Sequence, residues 1–144
     1  GGRELSSYPD RCALQMERRT LPGEPGEAPR DEIDAILAAL RREDPSFEGE
    51  ARLTFGRPPY ELPQGHELAS RLLAAASRVG RPAAVTGASF WTDAAVLGGA
   101  GIPSVLYGPG GAGLHSTTEY VLVEDVLTCR DVLRELALDY CGGS

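Results

Sequence analysis

The sequence predicts an α/β protein in two parts, and three observations lead to this prediction. Residues 12–21 and 47–55 alternate apolar with polar side chains, the two-residue period of half-buried strands. A helical apolar pattern lies between them, and the second half contains a pattern of strand, helix and strand. The halves are joined by residues 56–65, which contain three prolines and have the composition of a linker.

The first predicted strand covers residues 12–21. Leu14 and Met16 fall on one face, and Arg19 falls on the other, polar face. The Pro- and Gly-rich residues 21–29 cannot continue this strand and are expected to form a loop.

A helix is expected to follow, with Asp31 as its N-cap and apolar residues at helical spacing, and Asp44-Pro45 should end it. The second strand covers 47–55, and Gly49 is a possible bulge because it falls on the apolar side of the alternation. The first third therefore predicts a sheet with one covering helix.

The second half begins with a helix from Leu68 to Val79 that Gly80 ends. Short strands at 83–85 and 102–107, with a short helix at 93–97 between them, predict a parallel β-α-β unit. The last helix should run from about Glu124 to Tyr140. Its predicted apolar face consists of Val126, Cys129, Leu133, Leu136 and Tyr140.

Composition excludes several functions. A net charge of -7 on 144 residues argues against binding nucleic acid or an anionic membrane surface, because no basic surface is present to neutralise phosphates. All fourteen basic residues are arginine, which excludes the lysine-dependent chemistry of Schiff bases and phosphate-binding loops. No membrane-length apolar run or signal-peptide pattern is present, so a cytoplasmic protein is expected.

The three cysteines, Cys12, Cys129 and Cys141, are odd in number and have no Cys-x-x-Cys spacing. Neither a disulfide framework nor a cysteine zinc site is indicated. We expect buried free thiols.

The stretch 108–121 carries the main functional signal. A predicted strand leads into four glycines and a proline, and His115 lies at the far end of this loop. Residues 108–113 match the glycine pattern of a dinucleotide site, but no helix start follows, so that function is disfavoured. His115 taken alone could be a metal ligand or a loop histidine that is only hydrogen-bonded.

Other candidate groups give weaker signals. His66 opens a helix and could equally be a surface residue. Ser89 lacks the second glycine of a nucleophile elbow, which makes a serine hydrolase a poor fit.

Three segments together resemble the di-zinc amidohydrolases that include acetylornithine deacetylase, succinyl-diaminopimelate desuccinylase, aminoacylase and glutamate carboxypeptidase. Gly1-Gly2 with residues 9–24, which contain Glu17-Arg18-Arg19, resemble the family's lid-domain strand pair. Thr92-Asp93-Ala94 resembles a turn of its catalytic domain, and Gly108-Pro-Gly with His115-x-x-x-Glu-Tyr-Val resembles its closing signature. The segments follow the family's order and cover nearly the whole chain.

The resemblance implies a fold and a site. Residues 1–57 correspond to part of a ferredoxin-like lid and dimerisation domain, and residues 58–144 to the carboxy-terminal part of a zinc-peptidase-like catalytic domain. His115 corresponds to a metal ligand, for two zinc ions in the complete enzyme, with cobalt as a possible substitute. Arg19 corresponds to the arginine that grips the substrate's carboxylate, and Trp91 and Thr92 to a substrate-contacting turn.

The family's remaining metal ligands and its general-base glutamate have no counterparts in this sequence, so no catalytic residue is assigned. The resemblance therefore implies a partial chain of an enzyme that hydrolyses N-acyl amino acids or small peptides with a free carboxylate, inactive alone. The alternative is a non-catalytic interaction module that forms a homodimer through the lid sheet, since unpaired sheet edges favour association.

Overall fold

The computed structural model describes residues 4–142, so Gly1-Gly2 of the resemblance lie outside the described residues. The chain divides into two compact units, of which the first ends at Gly56 and the second begins at Arg57. In chain order the elements are α1 (Ala28–Glu43), α2 (Glu67–Arg78), α3 (Ala94–Gly99), β1 (Gly111–Ala112), β2 (Tyr120–Val121) and α4 (Val123–Cys141). No described helix has the combination of length and apolar character needed to cross a bilayer.

Helix α1 is the regular element of the first unit, and it begins earlier than predicted. Asp31 lies in its first turn and is not its N-cap; Pro29 fits there because the first turn has no partner for a backbone N–H. Its end agrees with the prediction: Asp44 is the C-cap, and its carboxylate accepts hydrogen bonds from the Ser46 hydroxyl (2.6 Å) and backbone N–H (2.9 Å).

The strands predicted at 12–21 and 47–55 are wrong for the described chain. Neither segment pairs with another strand among residues 4–142, and a strand requires a neighbour to satisfy its backbone hydrogen bonds. Gly49 marks a packing site instead of a bulge, because the side chains of Leu37 and Phe47 lie close over it and Arg41 donates to its carbonyl.

The core of the second unit is the contact between α2 and α4. Leu72, Ala75 and Ala76 of α2 are buried against Val132 of α4. The two alanines have small side chains, which permit a close approach of the helices. Leu136 also packs against this core.

The apolar face of α4 differs from the predicted one. Cys129 and Val132 are buried and Leu136 packs on the core shared with α2, whereas Val126 and Leu133 are 41% and 44% exposed. The Tyr140 ring is 47% exposed but lies 5.3 Å from the guanidinium of Arg71 on α2. The buried stripe is rotated toward Val132, because sequence periodicity alone does not fix which edge of an apolar stripe is buried.

The strands predicted at 83–85 and 102–107 are also absent as paired strands from the described residues. The second segment nevertheless keeps the alternation of a strand. Val105 and Tyr107 pack on the α2 and α4 core, whereas Leu106 is 54% exposed. The pattern therefore predicted which side chains are packed, but not a hydrogen-bonded partner.

The described cysteines are free, but only Cys129 is buried; Cys12 and Cys141 are exposed. The expectation of buried thiols is therefore wrong for these two residues. Neither is part of the packed α2 and α4 core.

Candidate metal and substrate site

His115 lies in a loop closed by a short antiparallel hairpin that the sequence analysis did not predict. Gly111 pairs with Val121 and Ala112 pairs with Tyr120. The Leu122 N–H donates to the Gly110 carbonyl (3.0 Å), which extends the hairpin by one bond before α4 begins. The available signal was the β-favouring pair Tyr-Val just after the loop. No helix begins within residues 108–113, as the sequence analysis expected.

The loop holds His115 in an unusual backbone conformation. Its φ is 62°, the left-handed region, where histidine is tolerated better than most residues that have a side chain. Its backbone N–H donates to Oε2 of Glu119 at 3.3 Å, and its side chain is exposed. The imidazole is therefore carried at the surface of the loop and is not buried in a core.

Further bonds fix the loop around His115. The Ser116 N–H donates to the Gly113 carbonyl (2.8 Å). The Ser116 hydroxyl both donates to the Thr118 carbonyl (3.0 Å) and accepts from its N–H (3.2 Å). Gly113 has φ 78°, and a Cβ there would collide with the Thr118 carbonyl oxygen, so the loop requires glycine at this position.

An ion pair lies at the base of the hairpin. Arg81, just after α2, pairs with Asp125 in the first turn of α4. Both residues line a cleft of about 120 Å³ beside Gly108, Pro109 and Gly110. The carboxylate of Asp125 lies against Gly110. The segment 108–110 thus packs against the first turn of α4.

His66, the other histidine, has a structural role. It is the N-cap of α2, and its Nδ1 accepts a hydrogen bond from the Leu68 N–H at 3.1 Å. This bond satisfies one of the unpaired donors of the first helical turn. Among the described residues, no group of three or more His, Cys, Asp or Glu side chains is arranged to hold a metal ion.

Arg18 and Arg19 have different environments. The guanidinium of Arg18 bonds to Glu24 through both of its terminal nitrogens and to Glu32 at 2.8 Å. The sequence analysis missed this pairing because the three residues are separated by a loop. Arg19 pairs with Glu17, and its side chain is 66% exposed.

The bonds to Arg18 also change the acidity of Glu24. The Arg18 guanidinium and, second, the Leu21 N–H both donate to this carboxylate and hold its pKa below the ordinary value of 4.5. The hydrogen bonds to Glu24 and, second, to Glu32 raise the pKa of Arg18, so that it stays charged. The donors of Arg18 are thus bonded to Glu24 and Glu32, and Arg19 is the more exposed of the two cations.

Trp91 and Thr92 precede α3 in the second unit. The indole N–H of Trp91 donates to the Pro58 carbonyl (3.2 Å), and the Arg57 guanidinium lies 4.6 Å from the ring centre. The Thr92 carbonyl accepts the Ala95 N–H (3.0 Å) and so starts the helix. Asp93 is the N-cap, but its side chain makes no capping bond.

The same linker is fixed at a second point. The Tyr60 hydroxyl accepts the backbone N–H of Ser104 at 2.9 Å, and the Tyr60 ring lies against Gly98 where a Cβ would be placed. Two hydrogen bonds, Trp91 to Pro58 and Ser104 to Tyr60, therefore hold residues 57–60 against the rest of the second unit.

Comparison with known proteins supplies the family. The sequence profile of peptidase family M20/M25/M40 matches residues 11–139, which is nearly the whole chain. This chain belongs to that family. Its relatives include acetylornithine deacetylase of Myxococcus xanthus, 33% identical over 144 residues. Another is N-formyl-4-amino-5-aminomethyl-2-methylpyrimidine deformylase of Bacillus subtilis (strain 168), 28% identical over 156 aligned residues.

Both alignments cover 99% of this chain but only 37% of the relative. No solved structure matches significantly. Membership of the M20/M25/M40 peptidases identifies the chain with a family of hydrolases and agrees with the family resemblance of its motifs. The mixed structure, with much helix and little strand, is consistent with part of such a domain.

Proposed function

We propose that this chain is part of a zinc-dependent amidohydrolase that removes an acyl group from an N-acyl amino acid or cleaves a small peptide with a free carboxylate. The observation that carries the proposal is the exposed His115 on a fixed hairpin, in a chain of the M20/M25/M40 family. The two relatives support the reaction type, since one is named a deacetylase and the other a deformylase.

His115 fits a zinc ion because a neutral imidazole is among the commonest zinc ligands, and here the side chain is exposed. A catalytic zinc needs about three protein ligands, and the described residues supply no such group. The other ligands and the general base would come from sequence matching the portion of the relatives that this chain does not span. When bound, zinc would activate water and polarise the amide carbonyl.

Arg19 is the proposed partner of the substrate's carboxylate. It is exposed and is paired with Glu17, its near neighbour, and an exposed ion pair of this kind is weak. A substrate carboxylate could replace Glu17 and accept two parallel bonds from the planar guanidinium. Arg18 is less suited because two other carboxylates already occupy its donors.

Trp91 and Thr92 remain proposed substrate contacts. The Trp91 indole already binds the linker carbonyl, so its ring would contribute a wall and not a hydrogen bond. Two zinc ions, possible cobalt substitution and a homodimer formed through residues 1–57 belong to the same proposal.

The test is a chimera in which this chain replaces the matching 37% of the Myxococcus xanthus acetylornithine deacetylase. We expect two bound zinc ions and hydrolysis of N-acetyl amino acids, whereas the 144-residue chain alone should be inactive. His115→Ala should lower zinc content and reduce turnover by at least about 100-fold, and Arg19→Ala should mainly raise KM. Metal-dependent hydrolysis by the chain alone, or a folded chimera in which His115→Ala keeps full activity, would contradict the proposal.

A further inference from the structure

We infer that Glu119 is a positioning residue, whose carboxylate fixes the left-handed turn that presents the His115 imidazole. The inference rests on the proposed function in one respect, namely that His115 binds a metal ion. The conformational part of it depends only on the geometry of the loop.

The first step concerns the backbone at His115. A residue with a side chain rarely adopts φ near 60°, because its Cβ then approaches the neighbouring carbonyl oxygen. Without support the loop would relax toward negative φ, and the imidazole would point in another direction. Some bond must therefore favour the observed turn.

The second step identifies the bonds that do so. The Ser116 N–H donates to the Gly113 carbonyl and closes a four-residue turn in which His115 is the third residue, whereas the two bonds of the Ser116 hydroxyl go to Thr118, beyond His115. The His115 N–H is held by Oε2 of Glu119, four residues along the chain. Because Glu119 directly precedes β2, its position is set by the hairpin pairing at Tyr120.

The third step is the strength of the bond. A carboxylate is a stronger acceptor than a neutral oxygen, but 3.3 Å is a long N–H···O distance and the site is exposed. We therefore expect a modest effect on the loop. A bond of this kind orients a side chain through its backbone and does not touch the reacting atoms.

The experiment uses the metal-free 144-residue chain, labelled with ¹⁵N. Glu119→Ala should speed deuterium exchange of the His115 amide by about fivefold and shift the backbone couplings of residue 115 toward negative φ. Glu119→Gln keeps a carbonyl acceptor of the same length and should restore most of the protection. Glu124→Gln is the matched charge control and should leave the loop unchanged.

A second background separates positioning from a general loss of stability. Glycine adopts positive φ without strain, so His115→Gly removes the need for support. The Leu122 amide, which bonds to Gly110, reports hairpin closure in both backgrounds. Glu119→Ala should speed its exchange when residue 115 is His and have little effect when residue 115 is Gly. An equal effect in both backgrounds, or an Ala variant with unchanged His115 exchange, would overturn the inference, as would a Gln variant as damaging as Ala.

Zinc titration of the chimera described under the proposed function, followed by its bound zinc, tests the link to metal. The zinc concentration for half-saturation should rise about threefold in Glu119→Ala, and Glu119→Gln should bind more tightly than Glu119→Ala. Equal zinc affinity in wild type and Glu119→Ala would overturn the link. If the wild-type chimera folds but binds no zinc, the proposed function fails, and the amide data alone decide the positioning role.

Discussion

At the scale of single residues, two adjacent arginines with the same chemistry have different environments. Arg18 is surrounded by Glu24 and Glu32, whereas Arg19 has Glu17 beside it and is more exposed. The sequence analysis predicted both arginines on one strand. Only the path of the following loop brings the carboxylates of Glu24 and Glu32 to Arg18. Arg19 is thus the more exposed of the two, at 66% against 34% for Arg18.

The pairing of Arg18 with Glu24 predicts a pH dependence for the first unit. Because the pKa of Glu24 is lowered in the folded chain, its contribution to stability is fully present above its ordinary pKa of 4.5 and is lost as pH falls through the lowered value. Helix content measured by circular dichroism should therefore fall in acid.

The variant Glu24→Gln should be less stable at pH 7 and should lose less stability between pH 5 and pH 3 than the wild type, a window set by ordinary carboxyl pKa values of about 4. Glu48→Gln changes the same charge at an exposed position and is the control. If Glu24→Gln and the wild type lose equal stability in acid, the carboxylate of Glu24 contributes nothing to folding.

At the scale of elements, helices were predicted well and strands were not. The four helices of the described residues were all predicted, with ends that differ by up to four residues, because apolar spacing, Gly80 and the Asp44-Pro45 pair act within the local sequence. A strand depends on a partner that local pattern does not identify, so 12–21 and 47–55 alternate without pairing in the described chain.

For the candidate site, too, local sequence predicted some features and missed those that depend on contacts in space. The sequence singled out His115, Arg19, Trp91 and Thr92 through motif resemblance, and their roles remain predictions. The hairpin around His115 and the acceptor role of Glu119 were not predicted, because the β-favouring Tyr-Val pair does not show which residues it pairs with or how the loop closes in space.

The packing of α2 on α4 predicts unequal effects of two truncations on one helix. Val132 is fully buried in the contact, so Val132→Ala should lower the free energy of unfolding by about 2 kcal/mol through lost burial and an unfilled cavity. Leu138 is 56% exposed, and Leu138→Ala should cost less than about 0.5 kcal/mol. Urea unfolding with an unchanged m-value measures both, and equal losses would mean that α4 does not present its Val132 face to α2.

At the scale of the whole molecule, the chain consists of two units with different degrees of packing. None of the residues of α1 is buried, whereas α2, α3 and α4 all contribute buried residues in the second unit. Large apolar side chains such as Met16, Phe55, Val85 and Leu106 are more than half exposed. Such exposure is typical of surfaces that another part of a protein covers.

The contacts of residues 57–60 predict where the chain can be shortened without destabilising the second unit. A shortened chain that begins at Arg57 keeps the contacts of Pro58 and Tyr60, and its α2 and α4 amides should exchange as slowly as in the whole chain. A chain that begins at His66 loses both contacts and should unfold more easily, by about 1–2 kcal/mol. Equal stability of the two shortened chains would show that residues 57–60 do not support this unit.

The contact between Trp91 and the linker also has an optical consequence. Trp91 is the single tryptophan of the sequence, and its indole N–H is bound to the Pro58 carbonyl while a guanidinium covers the ring. When the protein is excited at wavelengths that tyrosine does not absorb, all of its fluorescence therefore comes from the Trp91 ring. Release of residues 57–60 would expose that ring to water and shift its emission to longer wavelength, so the protein carries its own reporter of linker attachment.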